Sequence, residues 1–154
     1  MLEELIRLHN PALVFLSKTK CKRCKCENLK EKFNLFGINV DSCGKAGGLM
    51  LLWRKDVNLM VHSFSNSHID EMVSQADGTE GWCFTGVYGH PKAAKCKGTW
   101  RLLQFLHHHS PRPCLCAGDF NEILSQDEKI GAPRPHRQIE DFRDCLAEYQ
   151  LMDL

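Results

Sequence analysis

The chain has 154 residues, 43% hydrophobic and 25% charged, a composition that fits one ordinary globular domain and excludes a disordered or membrane chain. Twenty Lys and Arg nearly cancel nineteen Asp and Glu, which excludes a bulk field drawing the protein to nucleic acid or membrane; any phosphate binding must be local. Nine cysteines invite a disulfide reading, but Met1-Leu2-Glu3-Glu4 lacks the basic-then-apolar pattern of a secretory signal, so the thiols are expected reduced and the protein intracellular, nuclear or cytoplasmic. No apolar run approaches the ~18 residues of a spanning helix.

Leu2, Leu5, Ile6 and Leu8 lie on one helical stripe, and Asn10-Pro11 ends that helix because proline disfavours helical geometry in its predecessor. Ala12 to Leu16 is a continuous apolar run, expected as a strand buried on both faces. Between Thr19 and Phe36 a helical pattern carries Leu29, Phe33 and Phe36 and stops at Gly37, before a short strand, Ile38 to Val40. Gly44, Gly47 and Gly48 form a loop ahead of a buried strand, Leu49 to Trp53. Val57 to Phe64 and Ile69 to Ser74 alternate loosely, and Asp77-Gly78 supplies hairpin chemistry into Trp82 to Tyr88, so the middle of the chain is expected to be an antiparallel meander. Trp100, Leu103 and Leu106 mark a helix over Thr99 to His109, with Thr99 as cap and Pro111 and Pro113 beyond its end. A strand at Cys114 to Ala117 leads into Gly118-Asp119-Phe120-Asn121, and a final helix carries Ile139, Phe142, Leu146 and Tyr149. No internal repeat or low-complexity linker divides the chain, so residues 1–154 read as one domain.

The sharpest chemical signal is Asp119 and Asn121, two residues apart at the end of a buried strand. Carboxylate oxygen suits a hard cation such as Mg²⁺, and an amide can hold an attacking water or a phosphate oxygen. The alternative is a strand-to-turn junction with Asp and Asn as turn formers. Tyr88 and His90 also follow an apolar strand and can project near the same sheet edge. Arg134, His136 and Arg137, in the loop after Asp119, read either as DNA phosphate contacts or as solvated charge. Cys21, Cys24 and Cys26 contain one Cys-x-x-Cys pair, but the second pair of a zinc ribbon is missing and Cys114 and Cys116 alternate along one strand face, which favours a basic surface loop over zinc. His107-His108-His109 cannot all meet one ion from consecutive helix positions, and surface exposure is the expectation there.

Leu13-Val14-Phe15-Leu16, Gly47-Gly48-Leu49, Trp53, Ser65 to Asp70, Phe84-Thr85-Gly86-Val87-Tyr88-Gly89-His90-Pro91, Trp100 and Gly118-Asp119-Phe120-Asn121-Glu122 form an ordered series. That series is similar to the exonuclease-endonuclease-phosphatase family, and from Ile6 to Leu154 it most resembles the reverse transcriptase-associated endonuclease domains of plant LINE-type (non-LTR) retrotransposons. The resemblance implies a DNase I-like, four-layer α/β sandwich of mixed, mostly antiparallel sheets flanked by helices, present here in part. It also implies Mg²⁺-dependent hydrolysis of DNA phosphodiesters. Asp119 then corresponds to the residue that orients and deprotonates the attacking water, Asn121 to one that holds water and phosphate, and Tyr88 to a phosphate contact; His90, Arg134 and Arg137 are further candidates for contact with phosphate or DNA.

Two departures bear on activity. The family's first strand leads into a metal-binding Glu followed by Thr and Lys, whereas this chain reads Ser17-Lys18-Thr19-Lys20. Lys18 stands in the ligand's place, and an ammonium cannot coordinate Mg²⁺ and repels it. The family pattern also has an earlier strand bearing an Asn, and a later set of strands bearing an Asp-His pair and another Asp. The chain is therefore expected to be an incomplete, inactive endonuclease domain that binds no Mg²⁺ and exposes an unpaired sheet edge through which it self-associates. The alternative is a non-catalytic interaction module that keeps the partial fold. Lys18 is either a salt-bridge partner of Asp119 in place of the ion or a solvent-facing lysine.

Overall fold

The computed structural model describes residues 1–20, 23–42, 47–74, 81–110 and 112–152. They form two compact units, one of residues 1–88 and 112–118, the other of residues 89–111 and 119–154. In the first unit α1 (Leu2–His9), β1 (Leu13–Ser17), α2 (Arg23–Phe33), β2 (Leu35–Val40) and β3 (Leu49–Arg54) are followed by β4 (Asn58–Ser65), β5 (His68–Ser74) and β6 (Trp82–Tyr88). After α3 (Cys96–His109) the chain returns as β7 (Cys114–Asp119), and α4 (His136–Glu148) comes last. The strands make two sheets, ordered β1-β3-β2 and β4-β5-β6-β7. β3 pairs antiparallel with both neighbours, and β4, β5 and β6 form the expected antiparallel meander. β7 runs alongside β6 in the same direction: Cys83 N–H donates to the Pro113 carbonyl, and Gly118 lies against the backbone of Val87.

β3 is the most buried element, with Leu49, Met50, Leu51 and Leu52 at 0–1% exposure, because its side chains fill both faces of the first sheet. Met50 and Leu52 join Cys26, Leu29 and Leu35 on one side, with Leu2, Val14, Leu16 and Phe33 packed around them. Leu49 and Leu51 face the other way, into a cluster with Val40, Ile69 and Phe84 that cements the two sheets. Phe15 meets Phe84 edge to face, with centroids 6.0 Å apart, and any side chain at Gly86 would collide with the Phe15 ring. The result is the expected mixed α/β, DNase I-like architecture of two packed sheets with flanking helices.

Several boundaries differ from the sequence reading. β1 is half-buried along its whole length and not buried on both faces, because it pairs only with β3 and lies at a sheet edge. The second helix stops at Phe33 where Asn34 turns left-handed (φ 53°), so Phe36 belongs to β2 and is 46% exposed. Gly37, read as the helix stop, lies within β2, where a Cβ would come 2.6 Å from the Leu52 side chain. α3 begins before Thr99, which is a buried interior residue at 7% and not a cap; a 3₁₀ turn over Ala93–Lys95 and the Cys96 thiol, donating to the carbonyls of His90 and Lys92, start the helix earlier. Ile139, Phe142 and Tyr149 are core, while Leu146 is only half-buried. The turn at Asp77-Gly78 and the Gly44 end of the glycine loop lie outside the described residues.

One core residue escapes the apolar pattern. Glu71, opposite Phe84 and Val61 in register, is fully buried, and neither carboxylate oxygen has a hydrogen-bond partner among the described residues. Burial, with the charges of Asp70 and Cys114 adding to it, pushes its carboxyl up to about 9. Folded Glu71 is therefore protonated at neutral pH, while the unfolded chain ionises near the ordinary carboxylate value. Stability from this group is fully present below about pH 4.5 and is lost as pH rises towards 9. The expected outcome is a melting temperature that falls between pH 5 and pH 9, measured by circular dichroism, with Glu71→Gln flattening the fall.

Candidate active site

β1 ends at Ser17, and the chain turns through Lys18 (φ 52°) and Lys20 (φ 49°), both left-handed. The turn is held from β3's side: Thr19 and Lys20 N–H donate to the carbonyls of Gly48 and Gly47, and a Cβ on Gly48 would come 2.6 Å from Thr19 Oγ1. This crowding requires glycine at 48, and a positive φ at both positions (87° and 86°) favours the Gly47-Gly48 pair. Lys18 is exposed, and its ammonium lies 5.4 Å from the centroid of the Tyr88 ring, close enough for a cation–π attraction. Tyr88 ends β6, half-buried beside the inter-sheet cluster, with its N–H donating to the Ser67 carbonyl.

Ser67 sits in the β4–β5 turn, within the Ser65 to Asp70 run singled out by sequence. The buried His68 there bonds Ser65 Oγ through Nδ1 (2.7 Å) and Ser63 Oγ through Nε2 (3.0 Å). Burial lowers its pKa, partly opposed by Asp70, which favours the neutral ring. Asp70 accepts from Thr85 Oγ1 at 2.6 Å. These polar residues pin the turn, and through Ser67 they reach the strand end that carries Tyr88.

In the second unit Asp119 and Asn121 are brought together with Gly89. Asp119 Oδ1 accepts the Asn121 N–H (2.9 Å), and its carbonyl accepts the Gly89 N–H (2.7 Å). Asn121 is left-handed (φ 55°); its Nδ2 donates to the Gly89 carbonyl (2.6 Å) and its own carbonyl accepts from Arg134 Nη2 (2.9 Å). Asp119, Asn121 and Gly89 are thus tied together through one Asx turn. Gly89 has to be glycine because a Cβ would collide with the Phe120 backbone; its place in Tyr-Gly-His-Pro was the only sequence signal for it.

The remaining candidates do not converge as contacts. Arg134 is half-buried, with its backbone N–H on Gln126 Oε1, Nη2 on the Asn121 carbonyl and a buried, unpartnered Nε, so it braces the loop and does not project into solvent. His90 uses Nδ1 to accept the Lys92 N–H, and Arg137 is exposed in the first turn of α4. Glu122, noted only as the last residue of its motif, accepts both bonds from Gln138 Nε2 at 2.9 Å and ties the loop to α4. His107 lies on Tyr149, while His108 and His109 point Nδ1 at the helix carbonyls of Gln104 and Phe105, so the three rings diverge. Cys26 is 1% exposed and belongs to the core, which corrects its placement in a surface loop; Cys21 and the Cys24 side chain lie outside the described residues.

Among the described residues no three His, Cys, Asp or Glu side chains come together as a metal-binding group. At the end of β1 the donor set offers an ammonium where a cation would need oxygen. Among the described residues, those at this strand end do not fit a divalent ion.

No protein-family model and no curated protein matches the sequence. Solved structures do match the fold. The endonuclease domain of TRAS1, a telomere-specific non-LTR retrotransposon, is similar with a TM-score of 0.70 and 11% identity over 96% of this chain and 63% of that one. The AP endonuclease LMAP from Leishmania major gives 0.71 and 11% over 96% and 60%, and the 3′ phosphatase NExo from Neisseria, bound to product DNA hairpin, gives 0.65 and 14% over 95% and 64%. The fold is therefore that of endonuclease/exonuclease/phosphatase structures, one of them a retrotransposon endonuclease. This chain spans about three-fifths of their length. Among the described residues no helix is long and apolar enough to cross a membrane.

The left-handed Asn121 separates two substitutions that lose the same side-chain bond. Asn121→Ala should destabilise the protein by about 1–2 kcal/mol more than Asn121→Gly, because alanine pays for the left-handed backbone and glycine does not. Urea denaturation midpoints measure the difference.

Proposed function

We propose that the chain derives from the divalent-metal-dependent DNA endonuclease of a plant non-LTR retrotransposon and has lost phosphodiester hydrolysis. Asp119 descends from the water-orienting base, Asn121 from the residue that holds water and phosphate, and Tyr88 from a phosphate contact; His90 and Arg137 border the DNA path, and Arg134 braces the loop that carries Asn121. The observation that carries the loss is Lys18: it occupies the left-handed turn after β1, where the resemblance implies a metal-binding Glu, and its ammonium sits over Tyr88. In-line hydrolysis needs base, metal and charge stabilisation to act as one unit, so losing the metal forfeits most of the rate even where other groups persist. DNA is the ancestral partner and Mg²⁺ the ancestral cofactor. The residence is intracellular, nuclear or cytoplasmic. The 154 residues act as one domain.

Nicking of supercoiled plasmid with and without Mg²⁺ tests this reading on the chain as given, Lys18→Glu and Asp119→Ala. No nicking above background is expected from any of the three. Mg²⁺-dependent nicking by the unaltered chain that disappears in Asp119→Ala would overturn the proposal.

A second reading, a non-catalytic module that binds other protein, has its own observation in β7. Over Cys114–Gly118 this edge strand has no proline and no charge, and Leu115 is 38% exposed. Such an edge is a template for pairing with another strand. Self-association that rises with concentration in light scattering, and that Leu115→Lys abolishes, is the expected result; a monomer at every concentration would refute it.

A further inference from the structure

The second sheet carries a group of thiols on the face that turns away from the first. Ala117 packs against the inter-sheet cluster, so alternation along β7 puts Cys114 and Cys116 together on the opposite face. The bond from Cys83 N–H to the Pro113 carbonyl sets Cys83 beside Cys114 on the neighbouring strand, and Thr85 is two residues further along the same face of β6. The side chains meet. Cys114 hydrogen-bonds both Cys116 and Cys83, and its Sγ lies 3.4 Å from Thr85 Oγ1, whose own hydrogen goes to Asp70. The sulfurs form a chain, Cys83 to Cys114 to Cys116, and do not close on one point as metal ligands would. All of these residues belong to the first unit.

The three thiols are not equivalent. Cys83 is 2% exposed and its S–H reaches the Pro113 carbonyl at 3.5 Å, so it is engaged within the core. Cys114 is exposed and Cys116 half-buried, on a strand with one neighbour in the sheet. The bond from Cys114 lowers the pKa of the Cys116 thiol against the opposing effect of burial, and the same bond raises that of Cys114, so Cys116 is the thiol that gives up its proton. The buried thiols elsewhere behave differently: burial pushes Cys96 up to about 12 and Cys145 up to about 11.

Residues two apart on a strand have Cα atoms about 6.6 Å from each other, at the upper end of the span a disulfide bridges, and a strand held from one side can bend to close it. We propose that Cys114 and Cys116 are an oxidisable dithiol, a modification site on β7 whose oxidant is hydrogen peroxide. The Cys116 thiolate attacks one peroxide oxygen and the O–O bond breaks. Two electrons pass from sulfur to peroxide, leaving a sulfenic acid, and the departing hydroxide takes up the proton that Cys116 released. The Cys114 sulfur then attacks the Cys116 sulfur: the S–S bond forms, the S–O bond breaks, and hydroxide leaves with the Cys114 proton as water. Two thiols and one peroxide thus give one disulfide and two waters. Neither residue has a part in the hydrolytic reading, and the site does not rest on it.

Peroxide treatment of the full chain, followed by alkylation of free thiols in denaturant and trypsin digestion, tests the proposal. Residues 102–129 form one tryptic peptide that holds Cys114 and Cys116 and no other cysteine. It should be recovered unalkylated and about 2 Da lighter than the dithiol, and dithiothreitol should restore two alkylatable thiols. In Cys114→Ser the reaction should stop at the Cys116 sulfenic acid, which dimedone traps; in Cys116→Ser dimedone labelling should fall at least about tenfold. Cys145→Ser is the control and should form the disulfide as the unaltered chain does. Circular dichroism confirms folding for each variant. Two alkylated thiols after peroxide, a disulfide joining this peptide to the one bearing Cys83, a disulfide between two copies of the chain, or equal dimedone labelling of the two single variants would each overturn the proposal.

Discussion

The first unit is organised by the approach of its two sheets at Phe15 and Gly86. The Phe15 ring occupies the space that any side chain at position 86 would need, and it reaches Phe84 edge to face from there. Such a contact adds about 0.5–1.5 kcal/mol beyond the area it buries, but its larger effect is geometric. It fixes β1 over β6, so the end of one strand delivers Lys18 and the end of the other delivers Tyr88. The 5.4 Å separation of ammonium and ring follows from sheet packing three residues before Lys18 and two before Tyr88.

The same economy of backbone space recurs at the other strand ends. Gly118 lies so close to the Val87 backbone that no larger residue fits, and the next residue in the chain is Asp119. In the second unit Gly89 admits the Phe120 backbone, and this closeness brings its N–H and carbonyl to Asp119 and Asn121. Glycines here are selected by approach, whereas Asn121 is selected by backbone hand and by its side chain together. A loop built in this way keeps its shape when its side chains change, since the restraints are main-chain contacts.

Much of this was legible in the sequence. Apolar runs gave β3 and β6, Asn10-Pro11 gave the end of α1, and Gly118 to Asn121 gave the loop, because each depends on local pattern. Less legible was whatever depended on a distant partner. β1 has the composition of a strand buried on both faces, yet its exposure is set by having one neighbour instead of two. Asn34 took the left-handed stop that Gly37 advertised, because Gly37 was needed beneath Leu52. Arg134 read as a solvent or phosphate contact, since no local signal reveals that its guanidinium reaches back to the Asn121 carbonyl. Glu71 was invisible for the same reason: an acid in an alternating strand reads as outward-facing until the register puts it opposite Phe84.

Lys18 shows how one position can separate architecture from chemistry. An ammonium supplies a single positive charge and three hydrogen-bond donors, and it can be held over an aromatic ring as it is here. A divalent ion would do something different in kind: it accepts electron pairs from water and substrate oxygen, lowers the pKa of the bound water and draws charge from the phosphoryl group as it develops. No arrangement of N–H donors reproduces that Lewis acidity. A lysine at this strand end supplies positive charge without that Lewis acidity.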